Sequence, residues 1–381
     1  MELLIEKTEL FRWFFKIQNI SEKRSTMPIL SNGLLKTEDN SIHIYATDLE
    51  VGIHGIMQGE IKSPGEITVP SKKIFEIIRE LPSSKISLRI INQNQLELQC
   101  GKSLFTMMTL PPENYPPFPT IENINFTPIS STSFLDMIEK TMFSISAENI
   151  RYNLSGALLE RIENGKGERI RMVATDGHRL ALIDKPMEKS EINIQLSRKV
   201  IISRKGIHEI RRLLEELNTM VMIGFDEKSV IFKSHDTTLM ARLMEGEFPE
   251  YQEIIPRSFN RILQVNRKKF AESLKRVSVL SGDRSQIIRF LLDGNNLKLI
   301  FSDPDIGEAK DELEVTRYEG DPLEIGFNAL YFSEICNALS CDEILIKMND
   351  SLSPGVVFPV EENPDYLYVV MPIKIIEDRE E

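Results

Sequence analysis

The sequence predicts an α+β protein made of three copies of one folding unit, each with two helices packed on antiparallel sheets. Three observations support this prediction. Each third of the chain opens with a one-sided helical pattern, continues with a strand pair that ends on an aspartate, and then has a strand leading into a second helix. Because recurrence of the same elements at a fixed spacing is the sequence mark of a repeat architecture, their order decides the fold class.

The opening helices are recognised by apolar residues three or four positions apart, which is the spacing of one helix face. These residues are Leu10, Phe14 and Ile17, then Leu135, Ile138 and Met142, and finally Phe270, Leu274 and Val277. A helix with a single apolar face needs a sheet to cover it.

The strand pairs end at Asp48, Asp176 and Asp303, which are 128 and 127 residues apart. The residues before each aspartate are rich in β-branched and alternating apolar side chains, as in a half-buried strand. A Thr-Asp or Ser-Asp step is a common turn opener, since both side chains hydrogen-bond to nearby backbone.

The second helices are predicted over 72–81, 205–217 and 329–339, and two further strands close each third. The first two closing segments end in similar turns, at Tyr115-Pro116 and Phe248-Pro249. The predicted domains are 1–126, 127–253 and 254–381.

Net charge and cysteine usage limit the functions open to the chain. The net charge of −12 argues against a nucleic-acid partner, unless the 46 basic residues gather on one face. The first ten residues contain no export signal or membrane span, and three cysteines cannot all pair within one chain. We therefore expect a cytoplasmic protein.

One stretch, Asp176-Gly177-His178-Arg179, has the composition of an active site, because a histidine beside an aspartate can act as a general base. No nucleophile elbow, phosphate-binding loop or zinc motif accompanies it. We expect no catalytic residues, no metal and no cofactor. A hydrolase and a monomeric three-domain scaffold remain the alternatives, to be separated by turnover and by oligomeric mass.

Four stretches of the chain resemble the beta sliding clamp of bacterial DNA polymerase III. They are Thr-Met-Pro-Ile-Leu at 26–30, Val-Ala-Thr-Asp-Gly-His-Arg-Leu at 173–180, Ile-Gly-Phe-Asn at 325–328 and Tyr-Val-Val-Met-Pro at 368–372. The resemblance implies a head-to-tail homodimeric ring with helices around a central hole. Its implied function is to encircle duplex DNA and hold polymerases on it without reading sequence. An acidic exterior around a basic lining would then account for the net charge.

The resemblance also implies residues for the DNA contacts and for the contact between subunits. The implied DNA-binding residues are Arg24, Lys72, Lys73, Arg151, Tyr152, Arg204 and Lys205. Some family members carry a second aromatic residue where this chain has Asn153. The dimer contact is expected to join an edge strand with Phe105 and Met107 to Val279 and Leu280 of the partner.

A hydrophobic pocket for short peptides of polymerases, the clamp loader and repair proteins is the third implied site. Its matching residues are Leu154, Thr175, Gly177, His178, Arg179, Leu180, Pro249, Ile254, Asn328, Tyr331, Leu352, Val369, Val370, Met371 and Pro372. Glu253 replaces an arginine of a known member, so an acidic peptide residue is disfavoured there. The acidic extension 376–381 is expected to screen the pocket against acidic partners.

Overall fold

The computed structural model contains three successive β-α-β-β-β-β-α-β-β-β segments, with one extra short strand in the first and third. It describes residues 1–21, 27–92, 94–119, 121, 123–147, 152–165, 167–187, 196, 199–281, 287–361 and 365–375. The prediction of three repeated α+β units is confirmed. None of the helices in this described part of the chain has both the length and the apolar character needed to cross a membrane.

The first segment consists of β1 (Glu2–Glu6), α1 (Lys7–Ile20), β2 (Asn32–Glu38), β3 (Ser41–Thr47), β4 (Val51–Met57), β5 (Glu60–Ser63), β6 (Glu66–Pro70), α2 (Ser71–Glu80), β7 (Lys85–Asn92), β8 (Gln95–Cys100) and β9 (Ser103–Met108). The second consists of β10 (Thr127–Ser130), α3 (Ser131–Glu139), β11 (Gly156–Asn164), β12 (Gly167–Thr175), β13 (Arg179–Pro186), β14 (Val200–Ser203), α4 (Arg204–Glu215), β15 (Met220–Phe225), β16 (Ser229–Lys233) and β17 (Thr237–Arg242). The third consists of β18 (Arg261–Asn266), α5 (Arg267–Val277), β19 (Ile287–Asp293), β20 (Asn296–Asp303), β21 (Gly307–Glu314), β22 (Arg317–Glu319), β23 (Leu323–Asn328), α6 (Ala329–Ala338), β24 (Glu343–Met348), β25 (Gly355–Pro359) and β26 (Tyr366–Val370).

Five of the predicted helices lie where the apolar spacing placed them, and the third differs at its end. Helix α3 stops at Glu139, and Met142 begins a short 3-10 helix, so the prediction of Met142 as a third apolar position of α3 is wrong. The hydroxyl of Thr141 donates to the carbonyl of Met137 at 2.8 Å. This bond satisfies a carbonyl at the helix end, where no further turn follows.

The described residues pack as two units. The first unit holds 1–132 and 205–243, with a five-stranded sheet in the order β5-β1-β7-β8-β9 and an eight-stranded sheet in the order β10-β15-β16-β17-β4-β3-β2-β6. The second holds 133–187, 196, 199–204 and 244–375 outside its gaps, with a nine-stranded sheet in the order β14-β11-β12-β13-β26-β25-β24-β18-β22 and a four-stranded sheet in the order β21-β20-β19-β23.

The middle segment therefore divides its strands between two sheets. Strand β17 pairs with β4 of the first segment, and β13 pairs with β26 of the third, both antiparallel. Packing units and chain repeats consequently do not coincide. The predicted domain boundaries after residues 126 and 253 stay a prediction.

Each unit has an aromatic core beneath its helices. In the first unit the Trp13 ring is fully buried, and a Cβ added at Gly55 of β4 would lie 2.0 Å from it, so only glycine lets the ring lie on the strand. In the second unit Phe270, Phe290 and Phe332 meet with ring centroids 5.2–5.8 Å apart. Edge-to-face and tilted contacts of this kind add to the free energy of apolar burial.

Candidate functional site

The predicted peptide pocket centres on the turn that joins β12 to β13. The Thr175 hydroxyl accepts the backbone N–H of Gly177 (3.1 Å) and donates to the carbonyl of Arg179 (2.6 Å). One carboxylate oxygen of Asp176 accepts the backbone N–H groups of His178 (2.9 Å) and Arg179 (3.0 Å). Gly177 has φ of 88°, a left-handed conformation that glycine adopts without a steric penalty. The turn is thus fixed by its own side chains.

The Arg179 guanidinium joins this turn to helix α6. It donates to the second carboxylate oxygen of Asp176 at 3.0 Å, to the carbonyl of Phe143 at 2.6 Å and to the carboxylate of Glu334. Its Cζ also lies 4.4 Å from the ring centroid of Tyr331. With only 8% of its side chain exposed, Arg179 is a structural brace of the pocket and offers little surface to a ligand.

The same geometry bears on the hydrolase alternative. The Asp176 carboxylate binds the backbone N–H of His178, not its ring, and its second oxygen is held by Arg179. The His178 side chain is exposed. A histidine that acts as a general base needs a carboxylate or other group to orient its ring. The described contacts of Asp176 are to the turn and not to the His178 ring, which argues against the hydrolase alternative.

The Asp176 turn lies at the joint between β13 and β26. Leu180 lies opposite Val369 in the ladder, and the backbone N–H of Met371 extends the pairing with a 2.9 Å bond to the carbonyl of His178. Leu180 and Val369 are 3% and 1% exposed and pack with Phe248 in one apolar cluster. The predicted pocket residues Leu180 and Val369 therefore also form part of the hydrophobic core.

Apolar side chains outside this joint are more exposed. Leu352, in the hairpin between β24 and β25, is 72% exposed, and Ile254 is 40% exposed. Pro249 is exposed, and Met371 and Pro372 are half-buried. The remaining predicted residues are buried or serve the framework: Leu154 and Val370 are buried, and Asn328 caps α6 by accepting the N–H of Leu330.

A buried polar network behind the pocket was missed by the sequence reasoning. Arg171 makes a two-point ion pair with Asp184, at 2.7 and 2.8 Å, and donates to the Tyr251 hydroxyl at 3.1 Å. That hydroxyl donates to the carboxylate of Glu160. Burial raises the pKa of Tyr251, so the phenol stays a proton donor. The Phe248-Pro249-Glu250-Tyr251 stretch signalled a turn, but its partners lie about 80 and 90 residues away in the chain.

The predicted DNA-binding residues fall into three groups. Arg24 and Arg151 lie outside the described residues, and of Tyr152 only the backbone, at the start of a short 3-10 helix, is described. Lys72 and Arg204 are exposed, as is Lys73, whose Nζ pairs with Glu76 at 2.7 Å. Lys205 forms an ion pair with Asp48, whose side chain is 3% exposed.

Other basic residues of the helices divide in the same way. Six are paired with carboxylates: Arg12 with Glu9 and Asp236, Lys16 with Glu216, Arg79 with Glu80, Arg211 with Glu215, Arg212 with Glu209, and Arg276 with Asp311. On α5, Lys268, Lys269 and Lys275 are exposed and form no ion pair with any described residue. These three ammonium groups are available to an external anion.

The residues expected at the dimer contact are placed differently from the expectation. Strand β9 is an edge strand, but Met107 is 8% exposed and Phe105 half-buried, whereas Leu104 and Met108 on the other face are 58% and 65% exposed. Val279 and Leu280 lie in the turns after α5 and not in a strand, with 75% and 37% exposure. Phe105 and Met107 thus lie on the less exposed face of β9, and their part in the dimer contact stays a prediction.

The structure combines repeated units, a braced turn with apolar surroundings, and helix cations that form no ion pair with a described residue. These features define a class of protein that binds partners through its surface. Matches to known proteins are consistent with that class. Models of the DNA polymerase III beta subunit match its N-terminal domain over residues 1–119, its central domain over 128–250 and its C-terminal domain over 252–374.

Full-length relatives agree. The beta sliding clamps of Caulobacter vibrioides and Pseudomonas aeruginosa are each 33% identical, over 98% of this chain and 100% of theirs. The crystal structure of the C. crescentus beta sliding clamp has a TM-score of 0.93 at 32% identity, covering 98% of this chain and 99% of that one. The sliding clamp of Bartonella birtlesii bound to griselimycin has a TM-score of 0.92 at 32% identity, covering 98% and 100%.

The chain belongs to the DNA polymerase III beta subunit family, the beta sliding clamps. It is accordingly a DNA sliding clamp that gives polymerases processivity, and it is not an enzyme. Its partners are DNA, polymerases and a second copy of itself in a dimeric ring.

The brace formed by Arg179 generates a stability prediction. Arg179→Lys should lower the free energy of unfolding by about 1.5–3 kcal/mol, because an ammonium cannot reproduce the forked contacts of a buried guanidinium. Arg289→Lys is the matched control, since Arg289 is 34% exposed and makes one 3.1 Å ion pair with Glu324; its effect should stay below about 1 kcal/mol. Urea unfolding measures both. Equal small losses would show that Arg179 does not brace the turn.

Proposed function

We propose that the surface beside the Asp176 turn is the docking site for short peptides of polymerases, the clamp loader and repair proteins. The observation that supports it is the contrast between a rigid, braced turn and the exposed apolar side chains of Leu352 and Ile254. A preformed site loses little conformational entropy on binding. The half-buried Met371 adds an adaptable contact for varied apolar anchors.

The proposal also covers the cellular location of the clamp and the charge preference of the pocket. We place the ring in the cytoplasm, and the three free cysteines support a reducing compartment. The exposed Glu253 supports a preference against acidic peptide residues at that point of the pocket. The extension 376–381, expected to screen the pocket, lies outside the described residues.

Griselimycin, found bound to the Bartonella clamp, supplies a defined probe for this pocket. Met371→Ala and Leu352→Ser should each weaken its binding about tenfold, since each removes apolar contact area from the bound state. Val360→Ser is the control, because Val360 is another exposed apolar residue, with 41% exposure, outside the predicted pocket. Isothermal titration calorimetry measures the affinity of the three variants for griselimycin. Unchanged affinity in both pocket variants would place the ligand elsewhere.

The unpaired helix cations are proposed as the phosphate contacts. A clamp has to hold DNA without stopping at any sequence, and contacts from lysine to phosphate are sequence-independent. Lys72, Arg204, Lys268, Lys269 and Lys275 are exposed and free of ion pairs among the described residues. Lys205 is a weaker candidate than the sequence suggested, because its charge is already balanced by Asp48.

The distinction between free and paired cations can be measured through salt dependence. Changing Lys268 and Lys269 together to Ala should flatten the plot of log affinity for a linear duplex against log salt by about two units, given about 0.9 unit per phosphate contact. The matched double variant, Arg211→Ala with Arg212→Ala, should flatten it by less than about one unit, because both arginines are paired. Fluorescence anisotropy on two unrelated duplexes gives the slopes. Equal slopes for the two variants, or a preference between duplexes, would contradict the assignment.

The repeat itself supports a specific strand pairing in the dimer. In the chain, β4 pairs with β17 and β13 pairs with β26, so the strand after each Asp turn meets the last strand of the following segment. The equivalent strand of the third segment is β21, an edge strand, and the equivalent last strand of the first segment is β9, also an edge. We infer that β21 of one subunit pairs with β9 of its partner, which closes both edges.

Leu280 lies after α5, which packs on β21, so it is placed to contact the partner near this pairing. Leu280→Asp should convert most of the protein to folded monomer, because burying a carboxylate in an apolar contact carries a desolvation cost. Val360→Asp, a charge of the same kind on another exposed apolar residue, should leave the dimer intact. Sedimentation velocity distinguishes the two, and a normal dimer for Leu280→Asp would remove Leu280 from the interface.

A further inference from the structure

The first unit contains a second groove, bounded by the turn between β3 and β4, the hairpin between β15 and β16, and a proline-rich stretch. Its volume is about 580 Å³. Leu49, Pro116 and Pro119 supply exposed or half-exposed apolar surface, and Met240 of β17 lies at the base. All of these residues belong to one packing unit.

The turn of this groove repeats the Asp176 turn bond for bond. Asp48 accepts the N–H groups of Glu50 (2.9 Å) and Val51 (2.7 Å) through one carboxylate oxygen. The Thr47 hydroxyl accepts the N–H of Leu49 at 3.0 Å and donates to the carbonyl of Val51 at 3.0 Å. Each bond has its counterpart, 128 residues later, in the turn from Thr175 to Arg179.

The strand joint is repeated as well. The N–H of Arg242 bonds to the carbonyl of Glu50 at 2.8 Å, just as the N–H of Met371 bonds to the carbonyl of His178 at 2.9 Å. The adjoining hairpin also recurs, because Asp226 accepts the N–H groups of Lys228 and Ser229 in the way that Asp350 accepts those of Leu352 and Ser353. The two grooves therefore share one backbone framework.

Leu49 is the feature that this framework does not explain. It has φ of 76°, in the position where the other turn has Gly177 with φ of 88°. A leucine is strained in this conformation, and Leu49 gains no burial in return, since it is 52% exposed. A residue kept in a strained conformation with its apolar side chain in solvent points to a contact made by that side chain with a ligand.

The charges that line the two grooves differ. Lys228 and Arg242 occupy the positions of Leu352 and Met371, and neither side chain forms an ion pair with a described residue. The carboxylates on the same groove are Glu50, Glu227 and Asp226, of which Asp226 is occupied by its turn. By the same correspondence Glu50 and Glu227 replace His178 and Ser351, so the groove gains two cations and two carboxylates. Lys228 and Arg242 then mark the part of the groove where a ligand carboxylate would bind.

We propose that this groove binds a short extended peptide of a partner protein, with an apolar side chain on Leu49 and Met240 and an acidic residue facing Lys228 and Arg242. The inference rests on the proposed peptide function of the Asp176 groove, whose framework it shares. The ligand is opposite in charge preference to that of the Asp176 groove, where Glu253 is exposed. One ring could then hold two different peptide classes together.

The probe is a random heptapeptide library displayed on phage. It is selected on the full-length dimer with saturating griselimycin present, so that the proposed first groove is occupied. The selected peptides should combine an apolar residue with Asp or Glu. Their affinity, measured by fluorescence polarisation, should fall at least tenfold in Leu49→Gly and in Lys228→Glu. Ile91→Ala is the control, as Ile91 is 48% exposed in the same unit but lies outside the groove, and it should bind normally.

Leu49→Gly also separates binding from folding, because glycine relieves the strain at φ of 76° and should leave the melting temperature unchanged or raised. Selection without griselimycin should additionally yield peptides that lose affinity in Met371→Ala, which tests the first groove independently. Failure to enrich any peptide, enrichment of basic peptides, or binding insensitive to Leu49→Gly and Lys228→Glu would each overturn the second groove while leaving the first intact.

Discussion

The pairing of strands between successive segments is the constraint on which the rest of the structure depends. Each segment ends in a strand whose outer edge needs a partner, and an unpaired edge exposes a row of backbone donors and acceptors. Pairing β17 with β4 and β13 with β26 removes two such edges within the chain. Each joint also brings an Asp turn beside the end of a closing strand, so both grooves are consequences of closing the sheets. Among the edge strands of the four sheets, β9 and β21 are of the same two types as the strands that pair within the chain, which is why we propose that a second copy completes them.

Much of the local structure could be predicted from the sequence because its causes are local. The three aspartates at nearly equal spacing mark three turns in which one carboxylate oxygen accepts two backbone N–H groups, and the structure shows this at Asp48, Asp176 and Asp303. Apolar spacing likewise located the buried faces of the helices, apart from Met142 and from Leu135, which is half-buried. The roles of Arg179 and Lys205 could not be found in this way. Arg179 is held by Glu334, 155 residues away, and Lys205 by Asp48, 157 residues away, and no pattern in the chain connects such partners.

Electrostatics explains how an acidic protein can still be suited to a polyanion. Many helix arginines are paired with neighbouring carboxylates, as Arg211 is with Glu215, and such pairs contribute little net field at a distance. The free lysines of α5 are then the stronger attraction for phosphate, even though the chain carries a net charge of −12. Counting basic residues in the sequence overstates the number available to DNA. The weak, salt-sensitive contact that we propose for these lysines would suit a ring that is retained by closure and has to slide.

The second position of the repeated turn shows how one framework produces different surfaces. Gly177 leaves the backbone exposed, Leu49 presents an apolar side chain, and Pro304 has neither the freedom of glycine nor a backbone donor. All three turns nevertheless keep the two bonds to the aspartate, although proline excludes the left-handed φ of the other two turns. Because those bonds come from the aspartate, the residue after it is free to vary without loss of the turn, although leucine does so with strain. Divergence at this position therefore changes what the turn contacts and leaves the sheet joint beneath it unaltered.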